Sequence, residues 1–459
     1  MQKNFPRIVI AATQSGAGKT TITSGILAAL KKRGLNVQAY KVGPDYIDTG
    51  FHEIASGKPS HNLDSWLVGE KKLGEIFFYG SKCAEIAVIE GVMGLYDGGL
   101  GGVSSTAQIS QILASPVILV IDVKSMGTSA AAIALGFREF DKNVNLAGVI
   151  LNRVGSDSHK KIITDALEKL NINCFGAVKR NAEFILPERH LGLVPTAENN
   201  FAEIIDKICA TVESEIDIDA LLKIANSAPP ISFEKSLLPS ASCLLPKIAV
   251  AKDAAFNFYY EESLHELEKL GAEIVYFSPL ESETLPANIS GLIIGGGFPE
   301  MFAEKLQANK KIRTAIRTAA ENNLPIYAEC GGFMYLMNAI TDYWGGFNFE
   351  MCGVIPARAV MTDKLQTVGY VEAEILEDCI IGKAGEKLHA HEFHFSTAEI
   401  LTDKNIFSCK RMRTGKLYRA GFFEKNIVAS YLHIHFAGCP NAAESFINAC
   451  KNYNSNATI

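Results

Sequence analysis

The chain has 459 residues, a formal net charge of −6 and 48% apolar residues, enough for two hydrophobic cores. Its basic residues are scattered, so no patch of the kind that binds a nucleic-acid backbone is present in the sequence. No signal-peptide pattern opens the chain, and no apolar run reaches the ~18–20 residues of a transmembrane helix. We therefore expect a cytoplasmic protein that uses neither nucleic acid nor a membrane.

The first half of the chain predicts a parallel α/β sheet. Four short apolar runs have the pattern of buried strands: RIVIAAT, EIAVIEG, PVILVID and LAGVILNRV. The stretches between them carry apolar residues at helical spacing, and TITSGILAALKKRG ends in basic residues and a glycine, as helices commonly do. This alternation is typical of a parallel sheet with flanking helices.

A second α/β series follows a stretch rich in Pro and Ser, NSAPPISFEKSLLPSASCLLP, which is typical of an interdomain linker. KIAVAKD, AEIVYFSP, GLIIGGG and PIYAEC predict further strands, with helices around 261–270 and 300–322. We expect an N-terminal domain over 1–230, a linker over 231–246 and a C-terminal domain over 247–459.

The first predicted strand is followed by SGAGKTT, which predicts a phosphate-binding loop. Glycines after a strand let backbone N–H groups surround phosphate oxygens, and the next helix adds a favourable dipole. Lys19 would reach the terminal phosphates and Thr20 would bind Mg²⁺, although Thr13 replaces the first glycine of the usual pattern. The alternative is an ordinary glycine turn. The candidates for binding ATP and its phosphates are Gly16, Gly18, Lys19, Thr20, Thr21 and Asn152.

A magnesium-ATP site also needs an acidic group at the end of a neighbouring strand. Glu90 in AVIEGVMGLYDGG is the candidate Mg²⁺ ligand, although a glutamate after a strand can also be a solvated strand end. Asn152 and Arg153, at another strand end, are candidates for adenine contacts. Gln14 stands where the partition and iron-protein ATPases carry an extra lysine, which argues against that class.

The segment KVGPDYIDTGFH places Lys41, Asp45 and Asp48 on the predicted strand-to-helix connection beside the phosphate loop. Carboxylates here could bind a second metal, orient an acidic substrate or steer phosphate transfer. The alternative is that the two aspartates only stabilise a turn and a helix cap.

In the second half, LPIYAECGGFMYL places a cysteine at a tight predicted turn between a strand and a helix. A nucleophile at such a turn stands exposed above the sheet, and the helix N-terminus favours a thiolate. The glycines that follow Cys330 leave room for the turn and free backbone N–H groups for an oxyanion hole. Backbone amides of IIGGGFPE could complete that hole, so the candidate oxyanion loop consists of Gly296, Gly297 and Gly331.

A nucleophilic cysteine requires a base, and SYLHIHF offers His433 and His435. The two alternate along a predicted strand, so they cannot both face one site. A further cluster, HAHEFHF, lacks the spacing of a metal site, and we expect it to form a loop that faces the substrate.

These motifs together resemble a known family. AECGGFMYL, IIGGGFPE and YLHIHF resemble the class I, triad-type glutamine amidotransferase domain, in the variant of its cobyrinate/cobyrate branch, which AVAKDAAFNFYYEES and HEFHFS also resemble. SGAGKTT, KVGPDYIDTGFH, LDSWL and EGVMGLYDG resemble the dethiobiotin-synthetase-like ATP domain that is fused to it. The resemblance covers essentially the whole chain and implies a two-domain α/β fold with a P-loop NTPase-type domain first.

The resemblance implies an ATP-dependent amidation of the a- and c-carboxylates of cobyrinate, a corrinoid of cobalamin biosynthesis. Cys330 would release ammonia from glutamine with His433 as its base, and each carboxylate would be activated as an acyl phosphate with Mg²⁺ present. Triad enzymes usually carry a glutamate two residues after this histidine, where His435 stands here, so the third member of the site is open. The implied substrate and phosphate site consists of Lys41, Asp45, Tyr46, Asp48, Asp64 and Asp97.

Several alternatives remain at this stage. The same chemistry could act on nickel-sirohydrochlorin or on four other carboxylates of a corrinoid, although the short chain and KVGPDYID favour the a,c reaction. A different class would be a nucleotide-switched P-loop binding protein with a non-catalytic amidotransferase domain, whose ATP hydrolysis would be indifferent to glutamine. The sequence leaves open a homodimer and the route of ammonia, which we expect to be closed to bulk water.

Overall fold

The computed structural model describes residues 2–181, 188–189, 192–193, 201–232, 246–343, 345–400 and 404–457. Contacts divide the chain into two compact units, Met1–Ser236 and Leu237–Ile459. Residues 233–245 of the predicted linker lie outside the described residues. Within the described part of the chain, no helix combines the length and apolar character that crossing a bilayer requires.

The first unit is an α/β domain. Its described strands are β1 (Gln2–Lys3), β2 (Arg7–Ala12), β3 (Val37–Val42), β4 (His61–Leu63), β5 (Ile86–Glu90), β6 (Val117–Asp122), β7 (Leu146–Val154), β8 (Cys174–Lys179), β9 (Glu188–Arg189), β10 (Gly192–Leu193) and β11 (Ile231–Ser232). Its described helices are α1 (Lys19–Lys32), α2 (Asp48–Ser56), α3 (Ser65–Gly80), α4 (Thr106–Ile112), α5 (Ser129–Phe140), α6 (Asp157–Lys169), α7 (Ala202–Glu215) and α8 (Ile218–Asn226).

Seven strands of this unit form one sheet in the order β4-β3-β5-β2-β6-β7-β8, and every neighbouring pair is parallel. This confirms the predicted parallel sheet. The strand β2 lies between β5 and β6. The loop after β2 is therefore at the switch point of the sheet, on one side of which lie β5, β3 and β4 and on the other side β6, β7 and β8. The short strand β11 pairs antiparallel with β1 instead.

The second unit has a mixed architecture. Its described strands are β12 (Lys247–Ala251), β13 (Phe256–Phe258), β14 (Glu273–Phe277), β15 (Gly291–Ile294), β16 (Gly296–Gly297), β17 (Ile326–Glu329), β18 (Met337–Thr341), β19 (Asn348–Glu350), β20 (Ile355–Met361), β21 (Thr367–Ile375), β22 (Lys387–His394), β23 (Ser396–Ile400), β24 (Phe407–Arg411), β25 (Leu417–Ala420), β26 (Phe422–Glu424), β27 (Ile427–Ser430) and β28 (His433–Ile434). Its described helices are α9 (Glu261–Lys269), α10 (Ala303–Ala308), α11 (Lys310–Glu321), α12 (Gly331–Leu336) and α13 (Pro440–Ala457).

A six-stranded sheet in the order β14-β12-β15-β17-β27-β26 forms the centre of this unit, and only the β26–β27 pair is antiparallel. Side chains alternate along these strands between two cores, so that Ile248 and Val250 pack on one face and Ala249 and Ala251 on the other. The catalytic candidates lie at the carboxyl ends of the central strands.

Three further sheets are described in the second unit. The order β25-β24-β21-β22-β28 forms a five-stranded antiparallel sheet, β19-β18-β20-β23 forms a mixed four-stranded sheet in which β18 and β20 are parallel, and β13 pairs antiparallel with β16. The prediction of a loop for HAHEFHF was wrong, because these residues form β22, whose alternate side chains face opposite sides. The helix predicted around 300–322 is interrupted at Asn309, which caps α11.

Candidate active sites

The phosphate loop of the first unit is held in shape by glycines and by one asparagine. Gly16 and Gly18 adopt φ values of +74° and +91°, a region that favours glycine. The amide of Asn152 donates to the carbonyl of Ala17 over 2.8 Å, and a Cβ on Gly18 would lie 2.2 Å from that amide nitrogen. Asn152 therefore braces the loop from the end of β7, and its contact with adenine stays a prediction.

Lys19 begins α1 and folds back across the loop. Its Nζ donates to the carbonyl of Met93 over 2.6 Å, and the residue is 8% exposed. Burial, together with the nearby charge of Lys41, lowers the pKa of Lys19 to about 8. An ammonium held in this way gains stabilisation when a negatively charged phosphate enters the loop.

Glu90, at the end of β5, connects the groups around the loop. One carboxylate oxygen accepts from Thr20 Oγ1 and from Lys41 Nζ, both over 2.8 Å, and the other oxygen lies 2.6 Å from His52 Nε2. Burial would raise the pKa of Glu90, but the Lys41 charge and the His52 contact outweigh it and hold the pKa below its usual range. Glu90 is therefore an ionised carboxylate inside the protein, next to the first turn of α1.

Lys41 lies between two carboxylates. Its Nζ is 2.8 Å from Glu90 and 2.6 Å from Asp48, and it also donates to the carbonyl of Gly91 over 3.0 Å. Burial lowers the pKa of Lys41, yet the two carboxylates leave it raised. Burial and the neighbouring Asp45 raise the pKa of Asp48 to about 8. The predicted site residues Thr20, Lys41, Asp48 and Glu90 thus lie together beside the phosphate loop, with Lys19 close by.

Other sequence candidates are engaged in local structure. Asp45 accepts from the backbone N–H groups of Ile47 and Asp48, which is turn chemistry, and Asp97 accepts from Gly94 over 3.0 Å. Asp64 is the N-cap of α3 and accepts from two backbone N–H groups and from Ser104.

The carbonyl oxygen of Tyr46 accepts a hydrogen bond from the Thr49 hydroxyl. Thr21 is a half-buried residue of the first turn of α1. Roles of these residues toward a ligand stay predictions.

The cysteine of the second unit occupies a strained turn. Cys330 follows β17 with φ +47° and ψ −103°, is 7% exposed, and donates its backbone N–H to Ser430 over 2.7 Å. A Cβ on Gly332 would lie 2.1 Å from the carbonyl oxygen of Ile294, so only glycine fits there. The turn thus projects a thiol from the start of α12.

The predicted oxyanion loop packs directly against this turn. A Cβ on Gly331 would lie 3.1 Å from the backbone nitrogen of Gly297, and a Cβ on Gly296 would lie 2.7 Å from the ring of His433. Tyr259 supports the loop from behind, because its hydroxyl accepts from the N–H of Gly295 over 2.8 Å. The structure therefore brings all three predicted oxyanion glycines to the Cys330 turn.

His433 is buried between the thiol and a carboxylate. It is 2% exposed, and its Nδ1 lies 3.4 Å from Glu329 Oε2. Burial would lower the pKa of His433, but the contacts with Cys330 and Glu329 raise it to about 10. A buried histidine in contact with a thiol is the arrangement of a cysteine nucleophile and its base.

The second histidine of SYLHIHF faces elsewhere. The ring of His435 stacks on Tyr260 with 4.7 Å between centroids, and its Nδ1 is 3.4 Å from Ser263 Oγ. His391, from the HAHEFHF cluster, pairs with His433 across β22 and β28 instead. Burial and the charge of His433 lower the pKa of His391 to about 3, so this ring is neutral.

Sequence reasoning missed two residues that the structure places in these sites. Glu329 directly precedes the cysteine, and a carboxylate inside the apolar run LPIYAEC was the available signal. His52 lies four residues after Asp48, on the same face of α2, so helical spacing could have linked them.

Two family profiles match the chain. One, described as a CobQ/CobB/MinD/ParA nucleotide binding domain, matches residues 8–194, and the other, described as a CobB/CobQ-like glutamine amidotransferase domain, matches residues 247–440. The two matches contain the phosphate loop and the Cys330 turn respectively.

Curated relatives match along nearly their whole length. Cobyrinate a,c-diamide synthase of Dehalococcoides mccartyi is 46% identical, over 98% of this chain and 99% of the relative. Proteins of the same name from Listeria innocua and Caldanaerobacter subterraneus are 44% and 42% identical, over 97% of this chain and 99% and 98% of their own.

Proposed function

Because the chain belongs to the cobyrinate a,c-diamide synthase family, a family of glutamine-hydrolysing ligases, we propose that it amidates the a- and c-carboxylates of cobyrinate in cobalamin biosynthesis. Glutamine supplies the nitrogen, and ATP activates each carboxylate as an acyl phosphate. The observation that carries this proposal is the presence, in one chain, of a phosphate loop beside an ionised buried carboxylate and of a cysteine turn with its histidine.

The glutaminase half of the reaction belongs to the second unit. Cys330 passes its thiol proton to His433, attacks the side-chain amide of glutamine and forms a γ-glutamyl thioester, and His433 gives that proton to the leaving ammonia. The N–H groups of Gly297 and Gly331 stabilise the negative charge that develops on the amide oxygen. Water, deprotonated by His433, then releases glutamate and restores the thiol.

The synthetase half belongs to the first unit. A carboxylate is a poor acyl donor, so it attacks the terminal phosphate of ATP and displaces ADP, forming the acyl phosphate. The Gly16 and Gly18 loop would surround the phosphates, and Lys19 would offset their charge. Ammonia displaces phosphate from the acyl phosphate and leaves the amide. Lys41, Asp45, Tyr46, Asp48, Asp64 and Asp97 are the proposed surroundings of the substrate and its phosphate.

Oxygen ligands for Mg²⁺ are present in the phosphate site. Thr20 Oγ1 lies 2.8 Å from the ionised Glu90 carboxylate, and a hydroxyl with a carboxylate suits this hard cation. Bound there with the ATP phosphates, Mg²⁺ would offset negative charge during phosphoryl transfer. Among the described residues no group of three or more His, Cys, Asp or Glu side chains gathers into a metal site, so the phosphates would supply the remaining ligands.

Mass spectrometry of products tests the proposal. Purified protein with Mg-ATP, glutamine and cobyrinic acid should yield the diamide, through a monoamide that accumulates early. Matched reactions contain nickel-sirohydrochlorin or no tetrapyrrole. Amidation of nickel-sirohydrochlorin alone would replace the corrinoid assignment, and ATP hydrolysis that is indifferent to glutamine and to both tetrapyrroles would indicate a nucleotide-switched binding protein.

A further inference from the structure

We propose that Glu329, the residue immediately before the nucleophile, is the acidic positioning residue of the glutaminase site, holding the ring of His433 and stabilising its imidazolium form. This rests on the proposed role of Cys330 as the glutaminase nucleophile. In the general triad pattern the acidic residue follows the histidine by two positions, and His435 stands there in this chain. In this chain the acidic residue of the site would instead lie on β17, the strand that precedes the nucleophile.

The backbone of β17 directs the Glu329 side chain toward His433. Successive strand residues face opposite sides, so Ile326 and Ala328 pack in one core while Tyr327 packs in the other, and Glu329 shares the face of Tyr327. On that face Glu329 Oε2 reaches to 3.4 Å from His433 Nδ1. The backbone turns sharply at Cys330, and the thiol of Cys330 contacts the same imidazole.

The carboxylate of Glu329 is itself fixed. Its other oxygen, Oε1, accepts from the Tyr327 hydroxyl over 2.6 Å and from the backbone N–H of Ile434 over 3.0 Å. Glu329 is 8% exposed, so water does little to screen its charge from the neighbouring ring. Because Ile434 directly follows His433, one carboxylate ties both the ring and the backbone of the histidine strand to the nucleophile strand.

The residue at the usual third position is committed to other contacts. The carbonyl of His435 accepts from the N–H groups of Gly438 and Cys439, so the chain turns there toward α13. Its ring stacks on Tyr260, and its Nε2 lies 3.8 Å from Glu262. The strand from which a triad glutamate would point at His433 thus ends at Ile434.

The structure supplies a matched control, because His433 lies near the buried Glu329 and His435 near the half-buried Glu262. Glu329→Gln and Glu262→Gln each replace one of these carboxylates with an amide of the same size. We would measure, on the full chain, the pH dependence of Cys330 alkylation by iodoacetamide, read from the Cys330 peptide by mass spectrometry. Glutaminase kcat and KM and ammonia-dependent amidation are measured in parallel.

For Glu329→Gln we expect a loss of about tenfold or more in glutaminase kcat, a KM for glutamine within about twofold, and an alkylation midpoint at higher pH. The reason is that a less stable imidazolium no longer holds the thiolate beside it. Glu329→Asp should recover part of the loss, Glu262→Gln should keep the wild-type midpoint, and ammonia-dependent amidation should be retained by all three.

An unchanged midpoint and kcat in Glu329→Gln would overturn the proposal, and so would equal shifts in Glu329→Gln and Glu262→Gln. If Glu329→Gln does not fold, Tyr327→Phe removes only the hydroxyl that holds the carboxylate and should move the midpoint in the same direction by less. Alkylation needs no corrinoid, so these outcomes are separate from a failure of the substrate assignment.

Discussion

The chain contains two glycine-rich turns between a strand and a helix, and they are built differently. In the phosphate loop after β2, the residues with positive φ are glycines, Gly16 and Gly18. In the turn after β17, the residue with positive φ is Cys330, and its glycines follow at ordinary φ values. A phosphate needs only backbone N–H groups, whereas a nucleophile needs a side chain at the tip of the turn.

The difference shows where strain is accepted. A side chain at positive φ costs on the order of 1–3 kcal/mol, which the surrounding contacts must offset. Around Cys330 those contacts are the bond to Ser430 and the close approach of Gly331 and Gly332 to the neighbouring loop and strand. The phosphate loop avoids this strain and is fixed instead by Asn152 from β7.

The largest effect is expected when the Cys330 thiol is removed and the turn that carries it is kept. Cys330→Ala should lower glutamine-dependent amidation by about 10³-fold or more, because no thioester can form, and should preserve amidation driven by ammonia. Product analysis with each nitrogen source measures this. Equal loss with both sources would show that the turn serves the phosphate site as well, against the division of roles proposed above.

The buried charges beside the phosphate loop should also contribute to the stability of the first unit. Lys41→Met leaves Glu90 and Asp48 without their shared cation and should cost about 3–5 kcal/mol of unfolding free energy. Urea unfolding at about pH 9, above the pKa of about 8 at which Asp48 ionises, measures the loss. The double variant Lys41→Met/Asp48→Asn should lose less than Lys41→Met alone, and a larger loss would contradict the shared-cation account.

Gly18 and Gly34 have similar φ angles but different surroundings. Replacing each with alanine therefore separates the effect of backbone strain from that of a steric clash. Gly18→Ala places a Cβ 2.2 Å from Asn152 and should raise KM for ATP about tenfold, because the loop must shift. Gly34 has φ +83° and open space around it, so Gly34→Ala should cost ~1 kcal/mol of stability and leave KM for ATP unchanged. If Gly18→Ala and Gly34→Ala changed KM for ATP equally, backbone strain alone would explain the effect, and the clash with Asn152 would not be needed.

The smallest expected effect is a pH dependence of stability. The pKa of His433 is raised in the folded state from 6.5 to about 10. Its contribution is therefore fully present below pH 6.5 and is lost as the pH rises through about 10. Wild type should lose more unfolding free energy between these limits than His433→Gln does. Parallel losses would contradict the charged state of His433.

Much of the fold was accessible from local pattern. Short apolar runs predicted the strands β2, β5, β6 and β17, and Gly-Lys-Thr after a strand predicted the phosphate loop, because neighbouring residues in the sequence carry both signals. HAHEFHF was assigned wrongly, since its polar alternation suits an exposed loop as well as the strand β22, which lies between β21 and β28 in one sheet.

Residues that are neighbours in the sequence set the strand pattern of the two α/β units, the thiol at its turn and the glycines around that turn. Which charged groups meet depends instead on the tertiary structure. Glu329 contacts the backbone of Ile434, 105 positions away, and Thr20 and Lys41 meet at Glu90 across three strands. Such contacts depend on strand order and on the face of each strand, so no local pattern contains them.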